Sequence, residues 1–175
     1  MEDQTTRAYK LCVIDSFKGE FAFLSNFYPC RLEYDGVAWG TSEQAYQAAK
    51  CLDAKDVKAI RSTNSPGVAK KIGGSCRRRA DWEAVKVSIM RNILKAKFSD
   101  KILAEQLIAT GDAELQERNS HFDAFWGLTK DEDGDWRGAN HLGKLLMEIR
   151  KGLVEVKASQ PVQEAPQEPK KKGKA

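Results

Sequence analysis

The chain has 175 residues, 41% hydrophobic and 31% charged, with 29 Lys and Arg against 25 Asp and Glu for a net charge of +4. That length suits one domain with a substantial core, and without a run of about 18 apolar residues no membrane-spanning helix is expected. The last 18 residues hold four Lys and two Glu, so residues 1–157 carry 25 basic against 23 acidic side chains, a balance that argues against a body gripping DNA chiefly through its phosphates.

Residues 1–10, MEDQTTRAYK, are polar and begin acidic; they read as a flexible segment and not as a secretory leader. LCVID at 11–15 is a β-rich run, and RLEYDGVAW at 31–39 places Asp35-Gly36 between two extended pieces, which predicts a hairpin. From Thr41 the pattern turns helical. Thr41 with Gln44 fits a capping box, and Ala45, Ala48, Ala49 and Leu52 form a small apolar face. Residues 54–63 and 66–73 predict two short helices, the second opened by Pro66 and closed by Gly73-Gly74. Asp81 is the expected N-cap of a central helix in which Trp82, Val85, Ile89 and Ile93 recur beside Met90, Leu94 and Phe98. Residues 102–110 predict a helix ending near Gly111, residues 114–129 are mixed with room for a strand, and a last helix runs from about Asn140 to Val156 on a stripe of Leu142, Leu145, Leu146, Ile149, Leu153 and Val156. ASQPVQEAPQEPKKKGKA at 158–175 reads as a disordered basic tail. The expected fold is α+β, a mainly α-helical single domain over residues 11–157 with a small N-terminal β part.

Cys12, Cys30, Cys51 and Cys76 contain no CxxC pair and only His121 and His141 accompany them. A structural zinc site is therefore not expected, and the thiols are expected to be free in a reducing compartment.

Three segments hold more polar and aromatic detail than packing demands. FAFLSNFYP at 21–29 sets Ser25 and Asn26 among Phe27, Tyr28 and other apolar side chains, a mix that suits either a pocket for a flat ring or a buried turn. TSEQAYQAAK at 41–50 puts Glu43, Gln47 and Lys50 on one helical face opposite the alanines; such a face is either a solvated stripe or a site where Glu43 steadies a cation. In the segment 122–150, Asn140 between Gly138 and Gly143 resembles a phosphate cradle at a helix start, with Lys144 and Arg150 to add charge. Arg77, Arg78 and Arg79 form a compact basic cluster, either a phosphate contact or a solvated loop. The carboxylates of DEDGD at 131–135 do not follow calcium-loop spacing.

Taken in order, these segments resemble the NADAR family, also called YbiA-like proteins. The resemblance rests on FLSNFYP at 23–29, SEQAYQAAK at 42–50, Trp82 opening a helix that ends in KF at 97–98, TGD at 110–112, D-x-x-WG from Asp123 to Gly127, and G-x-N-x-LGKLLM-x-x-R from Gly138 to Arg150. It spans about residues 11–152 and implies the YbiA-like fold and an N-glycosidase that works without metal or cofactor. One branch of the family removes ADP-ribose from the guanine amino group of nucleic acid; another cleaves ribosylamino-pyrimidinone phosphates of early riboflavin synthesis. The resemblance makes Glu43, Trp82 and Asp123 catalytic candidates and places Lys50 close to the sugar. Where Gln44 stands, many relatives have His.

Cleaving a ribose C1–N bond needs an anion near C1, a nucleophile and a proton for the leaving nitrogen. Glu43 and Asp123 are expected to share those roles, which the sequence does not divide between them, and Lys50 offers a second route through a Schiff base. Trp82, with Phe27 or Tyr28, is expected to stack the base, with Ser25, Asn26, Gln47, Trp126, Gly127, Gly138, Asn140, Leu142, Gly143 and Arg150 as further substrate contacts. The arginine cluster and tail tilt the expectation toward ADP-ribosylated nucleic acid, with the riboflavin intermediates or a non-catalytic ADP-ribose reader as alternatives. A cytoplasmic monomer is expected, the tail being a candidate nuclear address.

Overall fold

Asp35 and Gly36 both take positive φ, 54° and 69°, the backbone that a two-residue hairpin turn requires. Across it β2 (Leu32–Tyr34) pairs antiparallel with β3 (Val37–Trp39). Alternation along the two strands sends Leu32 and Trp39 into the core. The protein is described by a computed structural model over residues 13–159, so the readings made for residues 1–10, Cys12 and the basic tail lie outside the described residues. Within 11–15, the described strand β1 is Val13–Ile14, and it pairs in parallel with β4 (Glu114–Leu115). A third pair, β5 (Thr129–Lys130) with β6 (Trp136–Arg137), brackets the acidic loop. The β part thus extends into the C-terminal half, where two-residue strands are too short to leave an alternating signal.

The rest is helical: α1 (Ser42–Lys50), α2 (Ala54–Ser62), α3 (Pro66–Ser75), α4 (Trp82–Lys97), α5 (Lys101–Ala109) and α6 (His141–Ser159). A short 3-10 helix, Gly19–Leu24, leads into the Ser25-Asn26 segment. The fold is the expected α+β domain. The core joins α4 and α6 through Ile93, Leu94, Leu142 and Leu146 to Leu107 and Leu115, all fully buried; each such side chain contributes roughly 1.5–3 kcal/mol.

Some boundaries differ from expectation. Gly73-Gly74 lies inside α3, which runs on to Ser75; Gly73 is where α3 touches α1, because a Cβ there would stand 2.8 Å from Gln47 Cβ. Asp81 precedes α4, but its carboxylate accepts from Arg79 and caps nothing. Leu52 lies beyond α1 and is exposed, as is Val156 at the far end of α6.

α1 is wedged among α2, α3 and α4. Every residue from Thr41 to Ala48 is buried, so its polar face looks onto an interior cleft and not onto solvent. That excludes the solvated-stripe reading of Glu43 and Gln47.

Candidate active site

The start of α1 is held twice. Thr41 Oγ1 accepts from the Gln44 N–H at 3.1 Å, and Gln44 Oε1 accepts from the Gly40 N–H at 3.1 Å, one residue earlier than a capping box predicts. The Gln44 amide then donates to the carbonyls of Ile60 and Thr63, so it ties α1 to the end of α2 and stays out of the cleft. On the other side the Glu43 N–H donates to Asn26 O at 3.0 Å, and the fully buried Lys97 donates from Nζ to Ser25 O at 2.8 Å. Burial pushes the Lys97 ammonium down to about 8.

These ties shape a cleft of about 430 Å³. Of the residues singled out in the sequence, Ser25, Asn26 and Phe27 line one side, Glu43, Gln47 and Lys50 line the α1 side, and Asp123 and Trp126 close the third. Sequence reasoning missed Tyr46, Lys70, Glu117 and His121, which also line it. Tyr46 was concealed by its neighbours, since beside Ala45 and two residues before Ala48 it reads as core; its ring meets Trp126 edge-on at 5.5 Å. Glu117 sits in a stretch without periodicity, and only the fold turns it inward.

Burial raises the Glu43 carboxyl above its ordinary range, while the Gln47 amide, donating to Oε1 at 2.8 Å, and the charges of Lys70 and Lys50 pull it back. Burial lowers Lys50, opposed by Cys76 and Cys51; its amine lies 5.9 Å from the centre of the Trp82 ring. Asp123 Oδ1 accepts the N–H groups of Phe125 and Trp126 at 3.2 and 2.9 Å, and the Asn119 side chain brackets its backbone. Among the described residues none of Glu43, Lys50, Lys70, Glu117 or Asp123 makes an ion pair, whereas Arg77, Arg78 and Arg79 pair with Asp53, Glu83 and Asp81 at 3.0, 3.7 and 2.6 Å. The basic cluster is therefore paired locally, while the charged side chains of the cleft have no ion-pair partner among the described residues. Among the described residues no donor reaches the buried Asn26 Oδ1, a costly state that a ligand hydroxyl or amine would relieve.

The other expected contacts lie elsewhere. Trp82 is buried behind the cleft with its ring 4.9 Å from that of Tyr46, so it backs the wall and presents no face to a base. Tyr28 packs near Lys97. The donors leading into α6 are turned inward: the N–H groups of Ala139, Asn140, His141 and Leu142 go to the carbonyls of Ala124, Gly127, Phe125 and Trp126. Asn140 is buried, with its side chain accepting from Glu117 N–H and donating to Leu115 O. Cβ atoms at Gly127, Gly138 and Gly143 would collide with backbone carbonyls, and Leu142 is core. Arg150 donates to Thr110 Oγ1 and Ala113 O. The expected phosphate cradle is thus a tight backbone junction that carries Glu117 and Asp123 to the cleft. Among the described residues no three His, Cys, Asp or Glu side chains converge as metal ligands do, and no helix is long and apolar enough to cross a membrane.

Residues 15–154 match the family model described as the NADAR domain. The chain is 40% identical over 142 residues to the N-glycosidase YbiA of Escherichia coli, covering 79% of this chain and 86% of that one. The NMR structure of E. coli YbiA superposes with a TM-score of 0.74 at 36% identity, over 89% of this chain and 93% of YbiA. The riboflavin biosynthesis protein VVA0006 of Vibrio vulnificus is 40% identical over 136 residues, 76% of this chain, which spans only 36% of that longer protein.

Proposed function

The chain belongs to the NADAR family, and on that premise we propose that it is an N-glycosidase, a hydrolase that cleaves the bond between C1 of a ribose and an exocyclic amine on a pyrimidinone ring. The carrying observation is the cleft, where carboxylates and amines without ion-pair partners among the described residues share the lining with the Asn26 oxygen, which no described donor reaches, beside an aromatic wall. A fully satisfied structural core has no use for such a set, and a substrate with a developing cationic C1 does.

Burial moves the Glu43 and Lys50 affinities for a proton toward each other. Glu43 accepts the ammonium proton of Lys50, and the freed amine attacks C1 of the ring-opened sugar. The C1–N bond to the base breaks, leaving a Lys50 imine that water hydrolyses to free sugar and amine. Asp123, fixed by two N–H groups, faces the positive charge at C1.

The favoured substrate is a ribosylamino-pyrimidinone phosphate, because relatives from Vibrio vulnificus and maize are named for riboflavin biosynthesis. ADP-ribose on the guanine amino group presents the same amino-pyrimidinone edge and is the second reading. It is favoured by Phe27, exposed on the rim with the Lys70 ammonium 5.9 Å from its ring, where a larger nucleotide extends. The test is to incubate the protein with each substrate and follow both by mass spectrometry. Release of sugar phosphate with an intact ring amine is expected; no release from either substrate by a folded sample overturns the reading.

A further inference from the structure

Resting on that N-glycosidase reading, we propose that Glu117 is the general acid that protonates the leaving nitrogen, a catalytic residue distinct from Glu43, Lys50 and Asp123. Three carboxyl groups line the cleft, and their surroundings divide the work. Glu43 holds the Gln47 amide and Asp123 holds two backbone N–H groups. Among the described residues no donor reaches the Glu117 carboxyl, although its backbone is clamped on both sides: its N–H donates to Asn140 Oδ1 at 3.1 Å and its carbonyl accepts from Leu128 N–H at 2.8 Å. A rigidly placed carboxyl with no donors, set beside two others, is the one that keeps a proton.

The facing charges agree. Burial, then Asp123 and Glu43, raise Glu117 against the pull of Lys70, to about 7. The cleft also receives Lys50 from α1, Lys18 from the entry to the 3-10 helix, and His121 from the loop that carries Asp123. When the C1–N bond breaks, its electron pair goes to nitrogen and the Glu117 proton follows, so the amine leaves neutral and Glu117 is left as carboxylate. The water that hydrolyses the Lys50 imine supplies oxygen to C1, and its protons restore Glu117 and the amine.

The experiment measures kcat against pH for the wild type, E117Q and E117D on whichever pyrimidinone N-riboside the wild type cleaves. Wild-type kcat is expected to fall as pH rises through about 7, because the acid must be protonated. E117Q is expected to lose about 10²–10³-fold in kcat with KM little changed and that alkaline fall abolished, while E117D keeps the fall at reduced kcat. A residue that only shapes the cleft would leave the profile in place. E117Q within threefold of wild type, or an unchanged alkaline limb in both variants, overturns the inference. An inactive wild type instead overturns the N-glycosidase reading, so the two failures are separate. If E117Q fails to fold, as its thermal melt reports, E117D decides: a reduced kcat with the alkaline limb displaced from its wild-type position supports the inference, and a limb left at the wild-type position overturns it.

Discussion

Glu43 and Lys50 stand seven residues apart on one face of α1, and the cleft moves their protons in opposite senses. Desolvation penalises the carboxylate and the ammonium alike, so the neutral pair approaches the ion pair in free energy, which an exposed helix face would not allow. Two substitutions separate the roles. E43Q keeps the Gln47 contact but accepts no proton, and is expected to lower kcat about 10²–10⁴-fold without lowering thermal stability. K50A is expected to abolish the covalent protein–sugar adduct that borohydride traps from the wild type, read as an added sugar-phosphate mass. An adduct that persists in K50A would place the imine on another amine. Turnover retained in K50A with no adduct in either protein would make water the nucleophile and Glu43 its base. That these two residues face one another's chemistry was legible from their spacing alone. Their burial was not, because a pattern of Glu, Gln and Lys on one face is equally the pattern of a solvated stripe.

At the scale of elements, α1 and the junction before α6 carry the site, and the sequence treats them unequally. The α1 reading followed from local rules: Thr41 as cap, small residues for close approach, polar residues opposite. The α6 junction misled, since Asn140 and its flanking glycines make the same pattern whether they bind phosphate or let backbones touch. Only the partners decide, and here Leu115 O and the Glu117 N–H occupy the Asn140 amide. Gly73 shows the same ambiguity. Read as a helix stop, it is the point where α3 lies against Gln47, and Gln47 in turn holds Glu43 at 2.8 Å. G73A is therefore expected to cost about 1–3 kcal/mol through overpacking, seen as a melting temperature lower by roughly 2–10 °C in a domain of this size. It is also expected to reduce kcat by displacing Gln47 from Glu43. A variant with the lower melting temperature but wild-type kcat would show that the Gln47 contact serves packing alone.

For the whole molecule, charge placement matters more than charge total. The sequence shows an almost neutral body with an arginine cluster, and from sequence the cluster is the natural place for a nucleic-acid backbone. In the fold each of its arginines faces a carboxylate, and the backbone of the same segment closes onto the end of α1 through Leu52 N–H to Arg77 O and Arg79 N–H to Lys50 O. Its work is to seat Lys50. Surface ion pairs of this kind contribute about 0–1 kcal/mol each, so replacing all three arginines by alanine leaves the backbone bonds and the fold in place. A small riboside phosphate carries no condensed counterion layer and feels only ordinary screening, whereas a protein making 6–10 phosphate contacts with DNA loses about 10³–10⁵ in affinity between 50 and 200 mM salt. Wild-type kcat/KM on the small riboside is accordingly expected to change only weakly over that range, and the triple variant R77A/R78A/R79A to follow the same line. The discriminating comparison repeats the series with guanine-linked ADP-ribose in an oligonucleotide. A steep salt slope that flattens in the triple variant would mean that those arginines leave their carboxylates for phosphates when nucleic acid binds, and would move the substrate to the modified strand. A shallow slope in both keeps recognition inside the cleft, whose lining carries Lys18 and Lys70 besides Lys50.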